Sequence, residues 1–189
     1  MKLKKFTDRE IRWDFYPMFL DLMQNGFEIE AFLLILSTWN FARFRYAMRS
    51  FNLDKFKNTI KKLNPIFKKF EKCDFKTINF DKYKKDIKQI FKTLALIKGI
   101  EKTGAPKLMH LKVPKVFVMW DMYIRNYYGF NKGDADDYLN FLKKMQSLFK
   151  EVETSRNRTL AKYIDEHNFK TITESILKKN RKAKIGIKK

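Results

Sequence analysis

Only six glycines and four prolines punctuate this chain of 189 residues, and that scarcity limits the folds open to it more than any other feature. A sandwich or barrel of many short strands places Gly or Pro at turn after turn, whereas helices need few of either. The apolar residues agree. Tyr138, Phe141, Leu142, Met145, Leu148 and Phe149 follow the three-four spacing of one helical face, and Asp134, Asp136 and Asp137 stand where acids favour a helix start.

The same reading extends along the chain. A helix is expected from about Asp8 to Gln24 on Ile11, Phe15, Phe19 and Leu22, kinked or divided at Pro17 and stopped by Asn25-Gly26. A second should run from Glu28 to Ser50, burying Phe32, Ile35, Leu36 and Trp39 and turning basic at Arg43, Arg45 and Arg49. A third, from Leu53 to Phe70, buries Phe56, Ile60, Leu63 and Phe67. The run Phe80, Tyr83, Ile87, Ile90, Phe91, Leu94 and Ile97 keeps the helical period until Gly99.

Residues 91–111 then read as a helix hairpin: helix end, short turn and helix start, with glycines at Gly99 and Gly104 and Pro106 suited to a first helical turn. Val113-Pro114 ends it, a short apolar stretch runs from Val116 to Trp120, and Asp121 caps a helix that stops before Gly129. Two short helices are expected near residues 156–167 and 171–179. The architecture is therefore all-α: a compact helical domain over 1–177, as one unit or as two lobes around a cleft, followed by a basic tail at 178–189. That tail holds seven basic residues and no acid.

Composition says the chain folds. Hydrophobic residues make up 44%, with 19 Phe, too apolar for a disordered polyelectrolyte. Cys73 has no second cysteine to pair with, which suits a buried small side chain in a reducing, cytoplasmic setting. The basic start Met-Lys-Leu-Lys-Lys lacks a following apolar core, so no signal peptide is read. The stretch from Ala31 to Leu36 is far shorter than the roughly 20 residues a membrane helix needs.

Charge points outward to a partner. Lys and Arg number 42 against 21 Asp and Glu, a formal net charge of +21. Self-repulsion of that size opposes compaction, and a polyanion that releases counterions on binding relieves it. A uniformly basic surface and an anionic membrane surface are the competing explanations. There is no Gly-rich phosphate loop, His-Glu-x-x-His or cysteine pair, and only His110 and His167 are present, so neither a metal site nor a cofactor is expected.

The hairpin is followed, 22 residues after Gly99, by Val118-Met-Trp-Asp-Met-Tyr-Ile-Arg125. Together with Ser37-Thr-Trp-Asn-Phe-Ala-Arg43, this order over residues 31–129 resembles the helix-hairpin-helix DNA glycosylase superfamily, the 8-oxoguanine glycosylase relatives in particular. The resemblance implies DNA as partner, a monomer, Gly99 and Gly104 in a turn against the DNA backbone, and Asp121 facing an extruded nucleotide. It departs from the pattern at Glu101, where the family has a second glycine, and at Thr103, where lyase members have a Schiff-base lysine. Lys102 and Lys107 flank that position.

Asp121 has a chemical case of its own. Breaking an N-glycosidic bond develops positive charge on the sugar, and a nearby carboxylate stabilises that charge and orients water. An ordinary helix cap wants the same location. Trp39 and Trp120 suit either the core or stacking on a displaced base. Asn40 suits the orphaned partner base or a local contact, and Arg43 and Arg125 suit phosphate or that base. The expectation is a DNA glycosylase-like enzyme, with a non-catalytic DNA- or RNA-binding helical protein as the alternative.

Overall fold

The computed structural model describes residues 15–155 and 158–186, with side chains through residue 180. Its regular elements are α1 (Tyr16–Gln24), α2 (Glu28–Trp39), α3 (Phe41–Ala47), α4 (Leu53–Lys68), α5 (Lys84–Ala95), α6 (Glu101–Lys112), α7 (Met122–Tyr127), α8 (Ala135–Leu148), α9 (Leu160–Asn168) and α10 (Glu174–Gly186). A 3-10 turn, Met48–Ser50, follows α3, and a π-helical turn, Phe169–Thr173, joins α9 to α10. No strand occurs among the described residues.

Local chemistry fixes several boundaries. Asp134 Oδ1 accepts from the amides of Asp136 and Asp137 to open α8, and Asn52 Oδ1 accepts from Lys55 N to open α4. Thr159 caps α9 through Lys162 N while its hydroxyl donates to the Pro114 carbonyl, which ties α9 to the end of α6. Gln146 on α8 donates to the carbonyls of Phe75 and Ile78 at 2.7 and 2.9 Å and so pins the long loop after α4.

The α5–α6 hairpin lies at the middle of the molecule. Helix α5 packs on α4, α6 and α8, while α2 packs on α1, α3 and α6. Phe91, Trp120, Tyr138 and Phe141 form one aromatic cluster, with Phe91 to Tyr138 and Trp120 to Tyr138 both at 5.0 Å between ring centres. Each of these rings is buried. Burying an aromatic ring removes 150–250 Å² from water, so this cluster is a large part of what holds α5, α8 and the segment before α7 together.

The structure adds detail at the two ends of the chain and corrects two expectations between them. Helix α1 begins at Tyr16, so Pro17 sits in its first turn, where a missing N–H costs nothing. The segment 8–14 lies outside the described residues. The helix expected over 28–50 is interrupted at Asn40 (φ −122°, ψ 17°), because that side chain is recruited by the hairpin. Gly104 and Pro106 lie inside α6 and not at its start. Within the basic tail at 178–189, α10 continues through residue 186; residues 187–189 lie outside the described set.

Candidate functional site

The turn between α5 and α6 is built around Gly99, whose φ of +89° favours glycine. A Cβ there would lie 2.5 Å from the Ala47 Cβ and 3.2 Å from Phe44 Cδ2, so the turn rests directly on α3. Asn40, buried at the α2–α3 break, donates from Nδ2 to the Gly99 carbonyl at 2.8 Å and the Ile100 carbonyl at 3.3 Å. Its amide holds the hairpin and is not presented to a partner base. Glu101 takes φ of +52°, the left-handed region that a second glycine would occupy without strain. Its carboxylate accepts from Arg43 at 2.6 Å, with both side chains over a third exposed.

Gly104 has a packing role. A Cβ would meet Asn40 Nδ2 and Ile100 Cγ2 at 3.0 Å and Leu36 Cδ2 at 3.1 Å, so glycine lets α6 lie against α2. Pro106 removes the backbone donor that would satisfy the Lys102 carbonyl four residues earlier. Trp120 supplies it, donating from Nε1 to that carbonyl at 2.8 Å. The ring of Trp120 is 1% exposed, so it serves the core and cannot stack on a displaced base in this conformation. Lys102 itself is exposed and donates to the Lys132 carbonyl.

Residues 116–120 are buried in the core, with Val116 ending a turn and 117–120 in no regular element. Their carbonyls find side-chain donors: His110 Nδ1 donates to Phe117 O at 2.6 Å and the Tyr138 hydroxyl to Val118 O at 3.0 Å. The segment delivers Asp121 to the start of α7. There Oδ1 accepts from Ile124 N at 2.8 Å, as expected of a cap, and Oδ2 accepts from the Thr173 hydroxyl at 2.6 Å, reaching the π-helical turn.

Lys107, one and a half turns into α6, is 7% exposed and has its Nζ 3.4 Å from the Thr103 carbonyl. Burial lowers its pKa to about 8, against the opposing pull of the Asp121 and Asp165 carboxylates and with a smaller push from Arg43. At neutral pH roughly a tenth of such an amine is free base, against a negligible fraction for an ordinary lysine. Asp165 is shifted the other way: burial raises its carboxyl, with Lys162 and Lys107 holding it back.

Helix α9 supplies most of the remaining charge. Lys162 is buried, with Nζ at 3.2 Å from Asp165 and 3.4 Å from Glu166, and Glu166 also meets Arg158 at 2.9 Å. The Lys162 ammonium lies over two rings, 4.5 Å from the centre of Tyr16 and 4.7 Å from that of Trp39, which are within 10° of parallel. Trp39 is half-buried and lines this cluster. His110 closes the back. Burial pushes its pKa down to about 3, leaving it neutral, and with Nδ1–H committed to Phe117 its Nε2 accepts from the Tyr16 hydroxyl at 2.8 Å.

Of the residues singled out in the sequence, Asp121 and Lys107 come together electrostatically, while Asn40, Arg43, Gly99 and Gly104 meet at the hairpin. Arg125 points elsewhere, donating to Asn131 O and lying against Gly133. Tyr16, Arg158, Lys162, Asp165, Glu166 and Thr173 were not foreseen. One trace was legible: Lys162, Asp165 and Glu166 fall on one helical face beside the apolar Ile164 and Ala161. No three His, Cys, Asp or Glu among the described residues are placed to hold a metal. No helix among them is long and apolar enough to cross a membrane. Comparison with protein families, with curated proteins and with solved structures returned no match.

Proposed function

We propose that this chain is a DNA N-glycosylase that receives an extruded nucleotide beside Asp121 and Lys107 and releases its base. The observation that carries the reading is the Asp121 carboxylate, fixed at the opening of α7 by Ile124 N and the Thr173 hydroxyl with the buried Lys107 amine within its field. The hairpin turn and the net charge of +21 support a polyanionic partner.

In this reading the bond between the sugar C1′ and the base nitrogen breaks, with the bonding electrons leaving on the base. Asp121 stabilises the positive charge left on the sugar. Water, or the neutral Lys107 amine, then bonds to C1′ and gives up a proton, which the departing base takes up. Attack by water yields a free abasic sugar. Attack by the amine yields an N-glycosylamine, whose C1′–O4′ bond then breaks as O4′ takes the remaining N–H proton, and the imine so formed is reduced by borohydride to a stable adduct.

The test is a panel of duplexes, each carrying one modified base, assayed for alkali-labile sites. Asp121→Asn is the informative variant, because its side-chain oxygen still accepts from Ile124 N and the helix keeps its cap. Base release by the wild type, abolished in this variant while thermal unfolding falls no further than in Thr173→Val, which removes the other partner of the Asp121 Oδ2 bond, is the expected result. A second reading rests on Glu101: an Arg43-paired carboxylate stands at the left-handed turn position where the glycosylase pattern has a glycine, which favours a binding module without turnover. Salt-sensitive binding with no product from any duplex would establish that reading instead.

A further inference from the structure

The outer face of α3 is occupied in a way that the fold does not explain. Its inner face, Phe44 and Ala47, is buried against the hairpin, whereas Phe41, Tyr46 and Met48 are 50%, 70% and 57% exposed. The Arg45 guanidinium lies over both exposed rings, 5.5 Å from the centre of Phe41 and 4.6 Å from that of Tyr46, and donates to the Tyr46 hydroxyl at 2.6 Å. A depression of about 400 Å³ adjoins Tyr46 and is lined by Arg43, Lys98, Gly99 and Glu101.

Exposed aromatic rings interleaved with arginine and lysine form a platform for unpaired bases: rings and guanidinium planes stack on base faces, and the cations track the phosphates. The Arg45 stack leaves the platform already ordered, and Arg43 neutralises Glu101 at the edge of the depression. A fully paired duplex hides its base faces and would leave these rings unused. We propose that α3 and the hairpin turn form a docking surface for a nucleic-acid strand with unstacked bases, taking one base against Phe41 or Tyr46 and its phosphate at Lys98 and Arg43. This rests on contact with nucleic acid, and not on cleavage of a glycosidic bond.

The experiment measures anisotropy of labelled oligodeoxythymidylate, oligouridylate and a blunt duplex with wild-type protein, the double variant Phe41→Ala/Tyr46→Ala, and Met18→Ala as a control for loss of an exposed apolar side chain elsewhere. The double variant is expected to weaken single-strand binding by about tenfold or more, with duplex affinity changed by less than about threefold. The two single strands separate DNA from RNA as the source of the bases. Tyr46→Phe should bind as the wild type does, since its ring remains. Equal losses on single strand and duplex, or no loss on either, would overturn the inference. If the wild type releases a base while the double variant binds single strands normally, this inference fails alone. If the wild type binds none of the three nucleic acids, the glycosylase reading fails with it.

Discussion

Replacing Gly99 by alanine puts a methyl group where two separate demands meet. The backbone is held at φ of +89°, which costs an L side chain about 1 to 2 kcal/mol. The new Cβ would also stand 2.5 Å from the Ala47 Cβ and 3.2 Å from the Phe44 ring, and relieving that overlap by moving the turn off α3 costs about 1 to 3 kcal/mol more. The sum is about 2 to 5 kcal/mol, a fall in Tm of roughly 5 to 15 °C for a chain of this size. Gly26 and Gly129 are internal controls. They have nearly the same φ, +84° and +86°, with nothing within 4 Å of a built Cβ, so alanine at either should show only the backbone cost. Thermal and urea unfolding of the three variants separates the two components. Adding Ala47→Gly to Gly99→Ala should restore part of the loss, as a double-mutant cycle with a favourable coupling. If Gly99→Ala costs no more than the two controls, the hairpin does not rest on α3 as described.

Other outcomes follow from the buried titratable groups. Lys107 has a folded-state pKa lowered to about 8 from 10.5, so below pH 8 the protein bears the full cost of a buried ammonium, and as pH rises toward 10.5 the folded state sheds that proton first. Stability relative to Lys107→Met should therefore move in favour of the wild type by about 2 to 3 kcal/mol between pH 7 and pH 10, measured by urea unfolding. His110, lowered to about 3, works in the acid range: the unfolded chain takes up a proton near pH 6.5 that the folded one refuses. Wild type should lose about 2 kcal/mol relative to His110→Gln between pH 6.5 and pH 5, and a flat difference would mean that the imidazole is hydrated. Thr173→Val removes the hydroxyl that donates to Asp121 Oδ2 and is expected to cost about 1 kcal/mol in unfolding experiments.

What the sequence disclosed was mainly what neighbours along the chain decide. Asp134 and Asp121 as caps, the Asn25-Gly26 stop and the Val113-Pro114 break are all local chemistry, and each appears where the residue types place it. The break at Asn40 is not legible from its neighbours, because its conformation answers to two carbonyls about sixty residues away. Pro106 reads as a first-turn proline because no local rule anticipates a tryptophan fourteen positions later covering the carbonyl that it leaves unbonded. The polar cluster follows the same division. Asp121 and Lys107 stood close to the recognisable hairpin, whereas Tyr16 and His110, 94 residues apart, and Lys162 beyond them meet only once the helices pack.

The buried segment before α7 determines how Asp121 behaves. With its carbonyls fastened to His110 and Tyr138, that stretch is anchored at its rungs like a ladder set into the interior. The carboxylate at its end therefore inherits the rigidity of the protein's centre and not the looseness of a surface loop. Residues on α9 can change identity beside it while the acid keeps its address.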